Sequence, residues 1–405
     1  MIPGPMKNIL IVNANVYDSG KRAARPGHVG IKDGRFDAVV FGGAPSPELV
    51  CGREVVDARG MTLYPGLVDV HTHGRCGYDF STAGEEEMRR MAGSYAADGT
   101  TVIMPTLASD TPEGLREAAR RITSSTFYGK GRPGSACFAG IHLEGSFINP
   151  KKRGAHDPSC IRLPDAAELS EFIDASGTPL HITSALELDR DGSFAAEALR
   201  RGATLALGHT CATYDESIRF AGRYRVSFTH LFNCMPPLHH RDGGPVLAAF
   251  GSDCYSELIC DGLHIAPSMI AFAYRQLGPG RTSLITDSMS ATHSPDGRYS
   301  IAGSGVTVKD GIALTDDGAL AGSTLTLSRG VENLADFCGI PLDEAIFCAT
   351  VNPAKEVGIY DICGSIDPGK RADLVFCEPS FDRGVRRLNI RRVICGGADA
   401  VRPAD

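Results

Sequence analysis

His71 and His73 stand two positions apart at the end of the short, mostly apolar run PGLVDVHTHG. On an extended strand residues i and i+2 share a face, so both imidazoles point one way while Val68, Val70 and Thr72 take the other. His142 and Glu144 share a face in the same manner within GIHLEG. His209 ends LALGH, His230 lies in FTHLF, and Asp287 ends LITD. A lone strand histidine is ordinarily a hydrogen-bonded core residue. Imidazoles and carboxylates that close several separate strands are instead the donor set of a borderline-soft divalent cation, which acidifies water and polarises carbonyl groups.

The elements that must position these groups are short apolar runs at 67–73, 100–107, 137–144, 180–185, 204–209, 226–232, 258–265 and 282–288. Amphipathic segments such as AGEEEMRRMAGSYAADG and SFAAEALRRG separate most of them. Eight strands alternating with helices predict an α/β protein built on a (β/α)8 TIM-like barrel, in which strand C-termini converge on one rim. A doubly wound open sheet is the competing architecture, but no glycine-rich phosphate fingerprint follows the first strand. Both chain ends read as β, which predicts a small discontinuous β-sandwich domain from 1–60 plus 361–405, leaving 61–360 as the barrel. The stretch 296–322 reads as hairpins inserted late in the barrel.

Bulk properties exclude several classes. A net charge of −7, with no basic block, argues against nucleic acid but leaves room for a small anionic ligand held by local positive groups. No apolar run reaches membrane-spanning length, and the N-terminus lacks the h-region and cleavage site of a secretory signal. The 13 cysteines are scattered, without a C-x-x-C pair. That usage suits reduced thiols and a cytoplasmic location.

The motifs PGLVDVHTHG, HLEGSFINPKKRGAH, GHT, THLFNCMPPLHHR, DGLHI, LITDSMSA, LAGST, NPAKEVGI and GSIDPGKRADLVF occur in one order along nearly the whole chain. In that order they resemble the amidohydrolase superfamily and, more narrowly, the N-acetylglucosamine-6-phosphate deacetylases. HLEG followed by GAH, and THLFN followed by HHR, carry the narrower resemblance. His-x-His and the GK-x-ADLV tail are common to the superfamily.

The resemblance implies a hydrolase that releases acetate from an amino-sugar phosphate with one or two divalent metals per subunit (zinc, iron, manganese or cobalt). Glu144, His209 and His230 would hold the principal metal, and His71 with His73 a second one bridged through Glu144. Asp287 would act as general base and then general acid, since an amide does not expel an unprotonated amine. His156 would contact the sugar and the acetyl carbonyl. Asn233, the backbone at Cys234, Arg241 and His264 would receive the phosphate, with Arg241 reaching across a homodimer. A guanidinium fork suits that dianion better than an ammonium.

Two departures stand out. Ser146 replaces the proline usual in HLEGP, which is expected to loosen the loop from Asn149 to His156. SMSATH, after Asp287, is a variable stretch expected to tune which sugar epimer fits. The competing readings are a deacetylase of N-acetylgalactosamine 6-phosphate, another amidohydrolase, and an inactive sugar-phosphate sensor. Cyclic amidases generally bridge their metals with a carboxylated strand-end lysine, and no predicted strand here ends in one. A sensor would have lost Asp287 or Glu144, yet both are present.

Overall fold

The computed structural model describes residues 8–177, 179–382 and 384–400, so the chain start through Lys7 and the last five residues lie outside the described part. Eight parallel strands form the barrel: β1 (Leu67–Thr72), β2 (Thr100–Leu107), β3 (Ile141–Glu144), β4 (Leu180–Ser184), β5 (Thr204–Leu207), β6 (Ser227–Phe228), β7 (Ser256–Ile259) and β8 (Thr282–Ile285). They pair in sequence order from β1 to β8. A parallel bridge between Thr72 and Ser288 closes the ring. At this seam Asp287 N donates to His71 O at 2.9 Å and His73 N to Ser288 O at 2.8 Å. The closure is therefore made by the segments that carry the expected site.

Every residue of β1 and β2 is buried, because helices cover the outer face of a parallel sheet while side chains fill its inside. The helix Pro112–Ser124 shows how the cover is built. Leu115, Ala118, Ala119 and Ile122 form its buried stripe, and the Thr111 hydroxyl caps it by accepting from Gly114 N at 3.1 Å.

Several strands end earlier than their apolar runs. His209, His230 and Asp287 have φ of 47°, 28° and 50°, left-handed values that break the extended backbone at each site residue. The run expected at 258–265 is shifted to Ser256–Ile259, because Asp261 turns the chain by accepting from Leu263 N and His264 N. The run at 137–144 splits into Cys137–Phe138 and Ile141–Glu144 around Gly140, where a Cβ would meet Pro179 O at 2.4 Å.

Both chain ends meet in a second sheet. Its order is Ala398–Asp399, Ile390–Cys395, Leu374–Cys377, Thr62–Pro65, Ile9–Asp18, Ala23–Lys32 and Arg35–Phe41, with Glu54–Asp57 also paired to Ile9–Asp18. The antiparallel pairing of Leu374–Cys377 with Thr62–Pro65 joins the C-terminal part to the N-terminal part. Three antiparallel strands, Gly297–Ile301, Ser304–Lys309 and Ile312–Thr315, form the insert after β8. Among the described residues no helix is long and apolar enough to cross a membrane.

Candidate metal centre

Glu144, the last residue of β3, is the hub of the rim. Its Oε1 lies 2.9 Å from His230 Nε2, 3.2 Å from His209 Nε2 and 3.2 Å from His71 Nε2. Its Oε2 lies 3.0 Å from His73 Nε2. Asp287 Oδ1 faces the same space, 3.2 Å from His73 Nε2 and 3.6 Å from His71 Nε2. Two ligand sets result, His71–His73–Glu144–Asp287 and Glu144–His209–His230, and all six side chains are buried. The left-handed backbone at His209, His230 and Asp287 is the costly kind of conformation that concentrates at functional sites.

Hydrogen bonds behind the rings decide which nitrogens face inward. His209 Nδ1 donates to Lys152 O at 2.8 Å, and His71 Nδ1 donates to Glu257 Oε2 at 3.1 Å. Each ring therefore turns Nε2 toward Glu144, and once the Nε2 proton is displaced it presents the tautomer a metal requires. His156 is set the other way. Its Nδ1 accepts from Ser109 N at 3.2 Å, so its proton resides on Nε2, 3.8 Å from Glu144 Oε2. Burial, followed by the neighbouring His209 charge, pushes His156 down to about 3, which keeps it a neutral donor.

The charges of the cluster are strongly interdependent. Burial opposes the charged form of Glu144, yet the surrounding imidazoles outweigh it and hold the carboxylate well below its usual range. Asp287 is lowered likewise, burial being overcome by the His71 charge and the His73 hydrogen bond. His71 is raised despite burial, because Glu144, Asp287 and Glu257 surround it.

These residues fit a divalent cation. The Nε2 atoms of His209 and His230 are only 3.0 Å apart over one carboxylate oxygen, and buried His71 Nε2 has no hydrogen-bond partner. Lone pairs and carboxylates crowded in this way are stabilised by positive charge at their centre.

The centre forms one wall of a cavity of about 240 Å3, which His73, Glu144, His156, His209, His230, Asn233, Cys234, His264 and Asp287 line. Ten of the eleven residues to which the resemblance gives a role thus meet here: nine line the cavity, and His71 lies directly behind them on Glu144. His264 is oriented by Asp261, whose Oδ2 accepts from Nδ1 at 2.6 Å. Arg241 is not among the lining residues; it is exposed on the turn His239–Asp242, beside a separate surface cleft. Ile301, Ala302, Leu320, Ala321 and Gly322 line the cavity beside Asp287, whereas none of residues 288–293 does.

Ser146 is itself an anchor. Its hydroxyl donates to Asp110 O at 3.0 Å and accepts from Asp110 N at 3.3 Å, while its carbonyl accepts from Arg162 N at 2.8 Å. These bonds hold Ser146 itself, three residues before the stretch expected to loosen. Sequence reasoning missed Glu257 and Ser109. The available signal for Glu257 was a lone acidic residue preceding the apolar LIC, which a strand starting at 258 left outside.

Comparison with known proteins agrees with this geometry. The sequence profile of the amidohydrolase family matches residues 62–398. The chain belongs to the amidohydrolase family. Within it, the chain is 35% identical over 326 residues to N-acetylglucosamine-6-phosphate deacetylase of Vibrio furnissii, covering 79% of this chain and 80% of the relative. It is 32% identical over 342 residues to N-acetylgalactosamine-6-phosphate deacetylase of Escherichia coli O157:H7, covering 84% and 88%. Among solved structures, a mutant N-acetyl-D-glucosamine-6-phosphate deacetylase from Mycobacterium smegmatis, in complex with N-acetyl-D-glucosamine-6-phosphate, superposes with a TM-score of 0.84 at 31% identity. That match covers 98% of this chain and 100% of the other.

Proposed function

We propose that the chain hydrolyses N-acetylglucosamine 6-phosphate to glucosamine 6-phosphate and acetate. The observation that carries this reading is the convergence of Asp287, His156 and the Glu144-centred ligand sets on one small cavity, in a chain similar to sugar-phosphate deacetylases over most of its length.

Glu144, His209 and His230 are assigned to the principal metal, and His71 and His73 to a second one sharing Glu144. When bound, a divalent cation supplies Lewis acidity that polarises an amide carbonyl and brings the pKa of water near 7. Imidazole and carboxylate ligands accept zinc, iron, manganese or cobalt.

Asp287 faces the same space as Glu144 and receives the proton of the attacking water. It then returns that proton to the nitrogen as the C–N bond breaks, so the leaving group departs as a neutral amine. His156 Nε2–H donates to the carbonyl oxygen as negative charge grows there, and its neutral state is maintained by burial. Asn233, the Cys234 backbone and His264 are assigned to the phosphate end of the cavity.

Arg241 stands on an exposed turn outside the cavity, which supports its donation to the phosphate of a second subunit in a homodimer. A cytoplasmic location and the division into a 61–360 catalytic unit and a smaller unit from both termini belong to the same proposal. The E. coli relative supports the galacto epimer as the second reading. Acetate release from both epimers and from unphosphorylated N-acetylglucosamine tests the assignment. Fastest turnover of the gluco phosphate is expected; absence of acetate from every phosphorylated sugar, with metal bound, would falsify the deacetylase reading.

A further inference from the structure

A second group of chemistry-bearing side chains meets at the opposite, N-terminal end of the barrel. His181 on β4, Glu257 on β7 and Glu356, which ends the helix Val351–Glu356, bring ligand atoms within 4.8 Å of one another, and all three are buried. His181 Nε2 lies 3.8 Å from Glu257 Oε1. Glu257 Oε2 is already committed to His71 Nδ1 and to the His230 backbone N–H, both at 3.1 Å. Its Oε1, fully buried, has no partner at hydrogen-bonding geometry, and neither has either oxygen of Glu356 at 8% exposure, although the Ser227 and Ser283 hydroxyls approach that carboxyl.

Among the described residues no lysine or arginine pairs with Glu257 or Glu356. The Thr204 hydroxyl donates to Leu180 O at 3.4 Å and so accepts from His181 Nδ1 at 2.8 Å. That arrangement leaves Nε2 as the lone-pair nitrogen, aimed between two carboxylates, with the Ser227 hydroxyl at 3.5 Å. A cavity of about 620 Å3, lined in part by Leu205, Arg225, Ser227, Tyr255, Lys355 and Glu356, reaches Glu356 of the cluster from the outer surface. Among the described residues neither Arg225 nor Lys355 pairs with Glu356.

We propose that the barrel floor is a separate divalent-cation site, ligated by His181 Nε2, Glu257 Oε1 and a Glu356 oxygen, and coupled to the rim centre through the two oxygens of Glu257. Glu356 gives up its proton as the ion binds, so that two carboxylates face the divalent charge, and one imidazole with carboxylate oxygens selects a transition ion over calcium or magnesium. The hydrogen bond behind His181 supplies the ligating tautomer in the way the Lys152 carbonyl does for His209. The floor cavity supplies an entry path that does not pass through the rim.

The test uses full-length protein loaded with Mn2+ alone, freed of loosely held ion by gel filtration, and crystallised for an anomalous map at the manganese edge. A peak among His181, Glu257 and Glu356 is expected. Elemental analysis of Glu356→Gln treated identically is expected to return one Mn2+ fewer per chain, with the peaks at Glu144 retained. A wild-type map without floor density overturns the proposal whatever the rim holds, and equal Mn2+ content in folded wild type and variant does the same. Should the variant fail to fold, the wild-type map decides. Acetate release is not read in either arm, so this result is independent of the deacetylase assignment.

Discussion

Glu257 holds His71 from behind: its Oε2 lies 3.1 Å from His71 Nδ1, and both side chains are fully buried. A ring whose far nitrogen is fixed by a carboxylate turns the correct lone pair toward the rim and becomes a stronger ligand. Glu257→Gln keeps the shape but offers His71 a weaker or misdirected partner. Metal affinity at the His71–His73 side is expected to fall by roughly 10–100-fold. Competition with a chromophoric chelator measures this, and unchanged affinity would show that the contact orients nothing.

Asp287→Asn preserves volume while removing the carboxylate assigned above to carry a proton from water to the amine. Turnover is expected to fall by about 10²–10⁴-fold with KM little changed. Metal content, measured by elemental analysis, should stay at one or more ions per chain because Glu144, His209 and His230 remain. Turnover close to wild type would assign the proton transfer to another group.

His156 is set to donate, not to titrate, in the working range. With its pKa near 3, no protonation of His156 shapes the rate between neutral pH and pH 5. His156→Ala should lower kcat by about 10²–10³-fold, the cost of a lost oxyanion donor. Its pH–rate profile should nevertheless keep the wild-type acid limb. Loss of that limb would mean that His156 had been charged.

Arg241 is expected to act on binding. Removing a charge-assisted phosphate contact costs about 1.5–3 kcal/mol, or roughly 10–100-fold in KM for the phosphorylated sugar. For Arg241→Ala kcat should change little, and hydrolysis of the unphosphorylated sugar should not respond. Equal losses on both sugars would point to damage in the fold.

Glu356 gives a stability signature in chelator-treated protein. Burial, and then the Glu257 charge, raise its carboxyl from 4.5 to about 8. The folded chain therefore retains a proton that the unfolded chain has released, and stability falls as pH rises through that window. Below the unfolded value the group is protonated in both states and costs nothing. Melting temperatures of wild type should decline between those two values more steeply than those of Glu356→Gln. Parallel curves would remove Glu356 as the source.

Much of the rim was legible because its chemistry is written at strand ends. His71 and His73 declare a shared face by spacing alone, and Glu144, His209, His230 and Asp287 each follow a recognisable apolar run. Strand limits were less legible. The left-handed turns at His209, His230 and Asp287 sit inside segments that look continuous by hydropathy, and the Asp261 turn moved β7 toward the N-terminus.

The sequence by itself determined the donor types, the alternation of strands and helices, and the resemblance that joins them to a reaction. Only the tertiary structure decided which groups stand behind which. Glu257 is 186 residues from His71, and Glu356 is a helix-end glutamate until the barrel closes over it. Nor does local sequence distinguish Arg241, exposed on its turn, from Arg75, buried against Asp98 at 3.0 Å. Burial and pairing are set by segments distant in sequence that the fold brings together. The pKa of a group, its tautomer and its access to a cavity exist only once those segments have met.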